Sequence, residues 1–466
     1  MPPSGPSANR FRLTLAALFL LGLAIGLIMV ARSQVSGDQL NLLARGWLLA
    51  EKGQLIPYGL PTSAGGKSPG ILTSLLVGLP LVVWRDYRAP TLVVLLCHVA
   101  AYLLLDRLLA AAAGRRERLL FALLFWLNPW QLYFAGHLWN ANWLVLCGAL
   151  HTVTAWRLRE RPALWASFGH VLVIGLASQL HQSFAILLLA TVLLLVTRQI
   201  RLHWGGALLA AAVVAASLVP WLQAVSQDAS LLPAGKGFVG RGLVKLFPLV
   251  RGIGYLLRYP SLSFSDRMTA FDFTSTVGAT ADAVLAPTLR VAAFSLGVIS
   301  LAVPILAHRR LWPRLARQWR HRRLPPRSGR AWLSRYCGAV LVAALAAFAL
   351  SPTTVMAWQG FIILHVAVLV VVLYAAPWFR SRWRQFARRA AGAWLVISVV
   401  LGAAMAVGAP MYRRGGRAPR AIALRADHPL LHELGIAERC TVPIDPVNGW
   451  WPDALPPPVA PAPDRR

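Results

Sequence analysis

Acidic side chains are scarce in this sequence: 16 Asp and Glu stand against 47 Lys and Arg. An acid placed away from a basic partner is therefore a candidate for proton transfer, because a carboxylate beside a reacting hydroxyl can take its proton as a new bond forms. Asp38 stands out. It lies in Ser36-Gly37-Asp38-Gln39-Leu40, a few residues past the first apolar run. Residues 40–48, which follow, have the pattern of an amphipathic helix lying on a membrane. A carboxylate at a helix start is also a good cap, since it meets unpaired N–H groups and the positive end of the helix dipole. The two roles are compatible. Asp86, Asp106, Glu117 and Glu160 lie beside arginines at the ends of apolar runs, where charge pairing accounts for them. Asp228, Asp266, Asp272 and Asp282 share one loop without metal-ligand spacing.

Five further features could bind a substrate. Lys67 follows a glycine pair in Gly65-Gly66-Lys67-Ser68-Pro69, and it either meets a phosphate at the membrane interface or snorkels there. His137 and Asn140 belong to one polar turn, Gln179 and His181 to a second, and Trp358-Gln359 forms a third. Polar groups at membrane depth are costly and tend to mark function. Residues 226–287 add Lys236, Arg241, Lys245, Arg251 and Arg258, with Tyr255 and Tyr259. Such a set suits phosphate and sugar, or lipid headgroups.

The elements that carry these residues are membrane spans. The chain has 466 residues, 57% hydrophobic and 14% charged, whereas soluble domains are about 25% charged. A span needs roughly 20 mostly apolar residues. Residues 13–30, 91–105, 164–196, 207–225, 291–307, 337–350, 361–376 and 391–409 meet or approach that, and 164–196 suits two short spans with a bend. The net charge of +31 resides in arginines between these runs. That is the pattern that fixes membrane orientation; it argues against a nucleic-acid partner and for anionic lipid headgroups. The four cysteines show neither metal spacing nor a disulfide framework.

Arg10 and Arg12 place the N-terminus inside, and the first run reads as a retained signal anchor. Residues 31–89 then form a first outer loop. Within it 70–84 is apolar but short and interrupted by Gly78 and Pro80. If it crossed, the basic stretch 107–118 would lie outside, so the expectation is a segment that only dips into the membrane. The remaining runs alternate to give about 11 crossings. They leave a long outer loop at 226–287 and a basic inner loop at 308–335 with ten arginines and no acid. The fold class expected is an all-α polytopic membrane protein, with a transmembrane domain over 1–410. The tail, 411–466, leaves on the outer side, although Arg413, Arg414, Arg417 and Arg420 would favour the inner one. It is Pro-rich from Pro452, with 421–451 able to form a small folded appendage.

The order of these motifs resembles the GT-C superfamily of membrane glycosyltransferases, especially the bacterial branch of aminoarabinose transferases and protein O-mannosyltransferases. Asp38 matches the family's acid in the first outer loop, and Lys67-Ser68-Pro69 is similar to its Lys-x-Pro element. Asn128-Pro129-Trp130 followed by Trp139-Asn140-Ala141-Asn142, and Gln179-Leu180-His181-Gln182-Ser183, look like two further family turns. The similarity covers roughly residues 10–200.

The resemblance implies transfer of a sugar from a polyprenyl-phosphate carrier to an envelope acceptor at the outer face of a bacterial inner membrane, with inversion. Asp38 would be the general base. Lys67, His137, Asn140, Gln179, His181, Arg241 and Lys245 would bind substrate or phosphate. Many members carry a second acid beside the first, where this chain has Gln39, and some carry one where it has His137 and Asn140. No metal is therefore assigned. A transporter or lipid-carrier flippase, and a non-catalytic envelope assembly protein, are the alternatives.

Overall fold

A computed structural model describes residues 6–33, 38–62, 66–232, 246–320, 328–351, 355–412, 421–423 and 441–443. The chain is an all-α polytopic membrane protein. Helix α1 (Pro6–Arg32) is followed by α2 (Asp38–Lys52), a hairpin of β1 (Tyr58–Pro61) with β2 (Lys67–Pro69), α3 (Leu72–Val83) and α4 (Arg88–Ala112). Next come α5 (Arg115–Phe121) and α6 (Pro129–Ala135), then α7 (Leu144–Leu158), α8 (Leu164–Leu180), α9 (Phe184–Val196) and α10 (Trp204–Gln227). Helix α11 (Leu246–Arg258) and two single turns, α12 (Asp266–Thr269) and α13 (Thr274–Val277), lead to α14 (Ala279–Ser300) and α15 (Ala302–Arg320). Helices α16 (Gly329–Ala349), α17 (Leu364–Ala375) and α18 (Arg384–Gly408) complete the bundle. In the tail, β3 (Ala421–Ala423) pairs antiparallel with β4 (Thr441–Pro443).

Among the described residues, seven helical stretches are long and apolar enough to cross a membrane. With α7, α8 and α9, which are shorter, and the broken segment α5–α6, they account for the crossings expected from the sequence. Helix α3 is the exception. Its 12 residues make it about as short as the 13-residue α9, and its placement sets it apart. Helix α4 runs antiparallel to α1: Phe19 stacks on Tyr102, and Gly26 approaches Leu95. Arg88 thus starts α4 at the level where α1 ends, so α3 leaves and returns on one face.

The two faces differ in their charges. At one, Asp106 accepts from Arg118 at 2.8 Å and Glu117 from Arg330 at 2.7 Å. Arg310 lies over Trp378 and Arg314 over Tyr374 nearby. These pairs hold the scarce acids in structural roles, as the sequence suggests; Asp86 is likewise engaged by Arg88 and Glu160 by Arg159. The loop acids do local work: Asp228 accepts from the Ser230 N–H, Asp272 from that of Thr274 and Asp282 from that of Phe273.

Two devices hold the core. The α5–α6 crossing is interrupted by a π-type turn over Ala122–Trp126 and the Asn128-Pro129 break. Buried Asn128 repairs the break by donating to the carbonyls of Leu124 (2.9 Å) and Tyr259 (2.6 Å) while accepting from the Trp130 N–H (2.8 Å). A buried polar network joins α7, α8, α9, α16 and α17. His151 meets Tyr336 (2.8 Å) and Thr191 (2.9 Å), Thr152 meets Tyr336 and His365 (both 2.8 Å), and His170 meets Thr154 and Thr191. Gly148 is required where α7 approaches the segment before α17, because a Cβ there would lie 1.9 Å from the Ile362 carbonyl oxygen.

Candidate active site

The face opposite those ion pairs carries two neighbouring cavities. The first, about 190 Å³, is lined by Asp38, Trp139, Asn140, His181, Ser183 and Gln359 among others. Three of the polar turns singled out in the sequence therefore converge on Asp38. Asp38 is the first residue of α2 and is exposed; its Oδ2 accepts from the Trp139 indole N–H at 3.1 Å. Asn140 is buried and donates to the Leu180 carbonyl at 3.0 Å, fixing the turn after α6 against the end of α8. The Gln359 side-chain oxygen Oε1 accepts from the Met356 N–H.

His181 caps the end of α8. Its Nδ1 accepts from the Ser183 N–H at 3.1 Å and sits 3.0 Å from the Ser183 hydroxyl. A backbone N–H aimed at Nδ1 puts the proton of the neutral ring on Nε2. Burial pushes the imidazole down to about 4, so the neutral ring is the one present near neutral pH and it serves as a donor. Asp38 is the one acid that lines either cavity among the described residues. The first cavity thus offers a carboxylate, amides, hydroxyls and an imidazole N–H, a set suited to hydroxyl groups.

His137 and Gln179 stand behind this cavity. His137 is buried and accepts at Nε2 from the Gln39 amide at 2.8 Å. Burial, with the charge of Arg267, pushes it down to about 3. The position beside Asp38 is therefore occupied by a neutral amide–imidazole pair. Among the described residues no group of three metal-ligating side chains converges. Gln179 is fully buried and ties α8 to its surroundings. Its amide N–H donates to Ser217 at 2.8 Å and its oxygen accepts from the Leu72 N–H at 3.3 Å. It packs on Gly70, whose φ of +85° and lack of Cβ permit the approach. Lys67 is half-buried on β2, adjacent to Ser68 at the cavity rim, and lines neither cavity itself. Arg241 and Lys245 lie outside the described residues.

The second cavity, about 230 Å³, is lined by Arg251, Arg258, Arg267, Tyr255, Trp139 and Met356 among others. Helix α11 supplies the first two arginines from one face, while Leu246, Val250 and Ile253 on another are exposed. Arg258 is positioned from three directions. Its guanidinium lies 5.5 Å from the ring centroids of both Trp130 and Tyr255. It also donates to Ser263 at 3.1 Å and to the Phe264 carbonyl. Arg251 reaches the Met356 sulfur at 3.1 Å. Three guanidinium groups gathered in one lining suit an anion, and planar forked donors suit phosphate.

Comparison with known proteins follows this geometry. No family model matches the chain, and no curated protein sequence matches it. Solved structures that resemble it include two of ArnT from Cupriavidus metallidurans. The form bound to undecaprenyl phosphate has 11% identity, covers 84% of this chain and 74% of that one, and gives a TM-score of 0.50. The apo form has 13% identity, 86% and 75% coverage and a TM-score of 0.49. The chain has a GT-C-like fold. That is the fold the motif order implied.

Of the two cavities, the first was legible as separate polar turns, although Trp139 was not singled out. Arg251 and Arg258 were read only as members of a basic loop, and Arg267 was missed. The available signal was the spacing of Arg251, Tyr255 and Arg258, which puts them on one face of a helix.

Proposed function

We propose that this protein is a glycosyltransferase that moves a sugar from a polyprenyl-phosphate carrier to an acceptor hydroxyl. The observation that carries this reading is the pair of cavities meeting at Trp139, one holding Asp38 and the other three arginines. The GT-C-like fold, shared with a protein crystallised with undecaprenyl phosphate, supports it. In the reaction the acceptor oxygen attacks the anomeric carbon and the carbon–phosphate-oxygen bond breaks. The electron pair leaves with the polyprenyl phosphate, and the acceptor proton passes to Asp38. A single displacement inverts the anomeric carbon. Asn140 and His181 hold the hydroxyl-bearing groups; His137 supports Gln39 beside Asp38, and Gln179 fixes the hairpin.

Arg251, Arg258 and Arg267 receive the phosphate, whose negative charge grows as the bond breaks; donors already in place at that point stabilise the transition state more than the ground state. Lys67, beside Ser68 on β2, adds positive charge next to the first cavity. The face bearing Asp38 is the outer one, because the arginine-rich loops gather on the opposite face. In a bacterial cell that places the site on the periplasmic side of the inner membrane.

The test supplies purified protein in lipid with a panel of polyprenyl-phosphate-linked sugars and a membrane-extract acceptor pool. Release of free polyprenyl phosphate with formation of a glycosylated product is expected for one donor. Movement of an intact donor across the bilayer without its consumption would overturn the reading and make the protein a carrier-lipid transporter.

A further inference from the structure

Among the described residues, Trp139 is the one that lines both cavities. It is half-buried in the turn after α6. Its ring stacks on Phe134, with centroids 6.3 Å apart and planes 29° apart. It meets His137 edge-on at 6.2 Å. Its N–H is spent on Asp38 Oδ2 at 3.1 Å. A transfer step constrains where such a residue stands. The proton acceptor, the attacking oxygen, the anomeric carbon and the leaving phosphate oxygen must lie within a few bond lengths, in line. With the carboxylate on one side and the arginines on the other, the anomeric carbon belongs at the boundary between the cavities. The indole occupies that boundary.

We propose that Trp139 sets the register of the reaction: its N–H holds Asp38 Oδ2 so that Oδ1 takes the acceptor proton, and its ring gives the transferred sugar a face to lie against. This rests on the glycosyl-transfer reading above. Trp139 is thus a positioning residue toward Asp38 and a contact residue toward the sugar. An aromatic face suits the C–H-bearing side of a pyranose or furanose, whose hydroxyl edges then meet Asn140, His181 and Gln359. One side chain would couple the base to the sugar, so damage to its two parts should separate kinetically.

The experiment compares Trp139→Phe and Trp139→Ala in the full-length protein, with kcat and donor KM measured separately. Phe keeps a ring and removes the N–H. It is expected to lower kcat by roughly tenfold or more, as for loss of one hydrogen bond to a charged group, with donor KM within about twofold of wild type. Ala removes the ring as well and is expected to raise donor KM severalfold on top of the kcat loss. A melting temperature in detergent within a few degrees of wild type is expected for both variants and reports their folding. Wild-type kcat in Trp139→Phe, or unchanged donor KM in Trp139→Ala, would overturn the proposal while wild-type transfer leaves the function standing. Absence of transfer by wild type with every donor overturns both.

Discussion

Replacing Arg258 by Gln probes the anion cavity at its best-anchored member. The guanidinium carries five N–H donors. One donates to Ser263 and one to the Phe264 carbonyl, and the group is clamped between Trp130 and Tyr255 at 5.5 Å from each ring. The side chain is thus held in place, before substrate arrives, in the lining of the cavity assigned to phosphate. A hydrogen bond to a charged group contributes about 1.5–3 kcal/mol, which is roughly ten- to a hundredfold at 1.36 kcal/mol per decade. Because phosphate charge rises as the glycosidic bond breaks, the loss should appear in kcat/KM rather than in KM alone. The assay is initial rate against donor concentration for wild type, Arg258→Gln and Arg258→Lys, with polyprenyl phosphate as a competing product. Arg258→Lys is expected to fall between the other two, since it keeps the charge and loses the fork and the clamp. The weakened variant should also show a weaker inhibition constant for polyprenyl phosphate. Arg159→Gln, on the opposite face over Trp156, should stay within about twofold of wild type. A stable Arg258→Gln protein with wild-type kcat/KM and product inhibition would refute the assignment of phosphate to this cavity.

Three other outcomes follow from the structure. Asn128→Ala removes three buried hydrogen bonds at the break in the α5–α6 crossing; a loss of about 2–4 kcal/mol is expected, read as a lower melting temperature in detergent, and an unchanged one would contradict the role given to Asn128. The His181 imidazole is held down to about 4 by burial against its usual 6.5. The unfolded chain therefore binds a proton first as pH falls, and stability declines from pH 6.5 toward 4. His181→Gln should flatten that decline in thermal melts, and an identical slope would count against it. Single cysteines at Gln182 and Arg161, in a background lacking the native cysteines, should react with a membrane-impermeant thiol reagent from outside and inside respectively; the reverse pattern would overturn the orientation.

Much of this arrangement could be read in the sequence because membrane folding ties function to charge. Arginine placement separated the faces. The acids beside basic residues at span ends, Asp106 and Glu117, are paired with Arg118 and Arg330, which left Asp38 as the unusual one. The short segment 70–84 was recognisable as non-crossing because a full crossing would have inverted the charge pattern, and α4 starts at the level where α1 ends. The polar turns bearing Asn140 and His181 meet Asp38 in one cavity. What the sequence hid was long-range placement. Arg251 and Arg258 share a helix face, but their meeting with Arg267, Met356 and Trp139 depends on how the loop after α11 packs into the bundle. Asn128 holds the Tyr259 carbonyl, and Tyr259 donates to the Ala357 carbonyl; no local pattern announces either bond. Gln179 looked like a ligand because it is polar at a span end. Its amide is instead engaged by Ser217 and the Leu72 N–H.

The central claim is that the Asp38 carboxylate removes the acceptor proton. Its most direct test is transfer by Asp38→Asn with the cognate donor, paired with donor binding on the same preparation. General-base catalysis contributes about 10²–10⁴-fold. The account expects a kcat loss of that order with donor affinity kept within a few-fold, because the phosphate is held by arginines in the neighbouring cavity. Wild-type turnover by Asp38→Asn would contradict it.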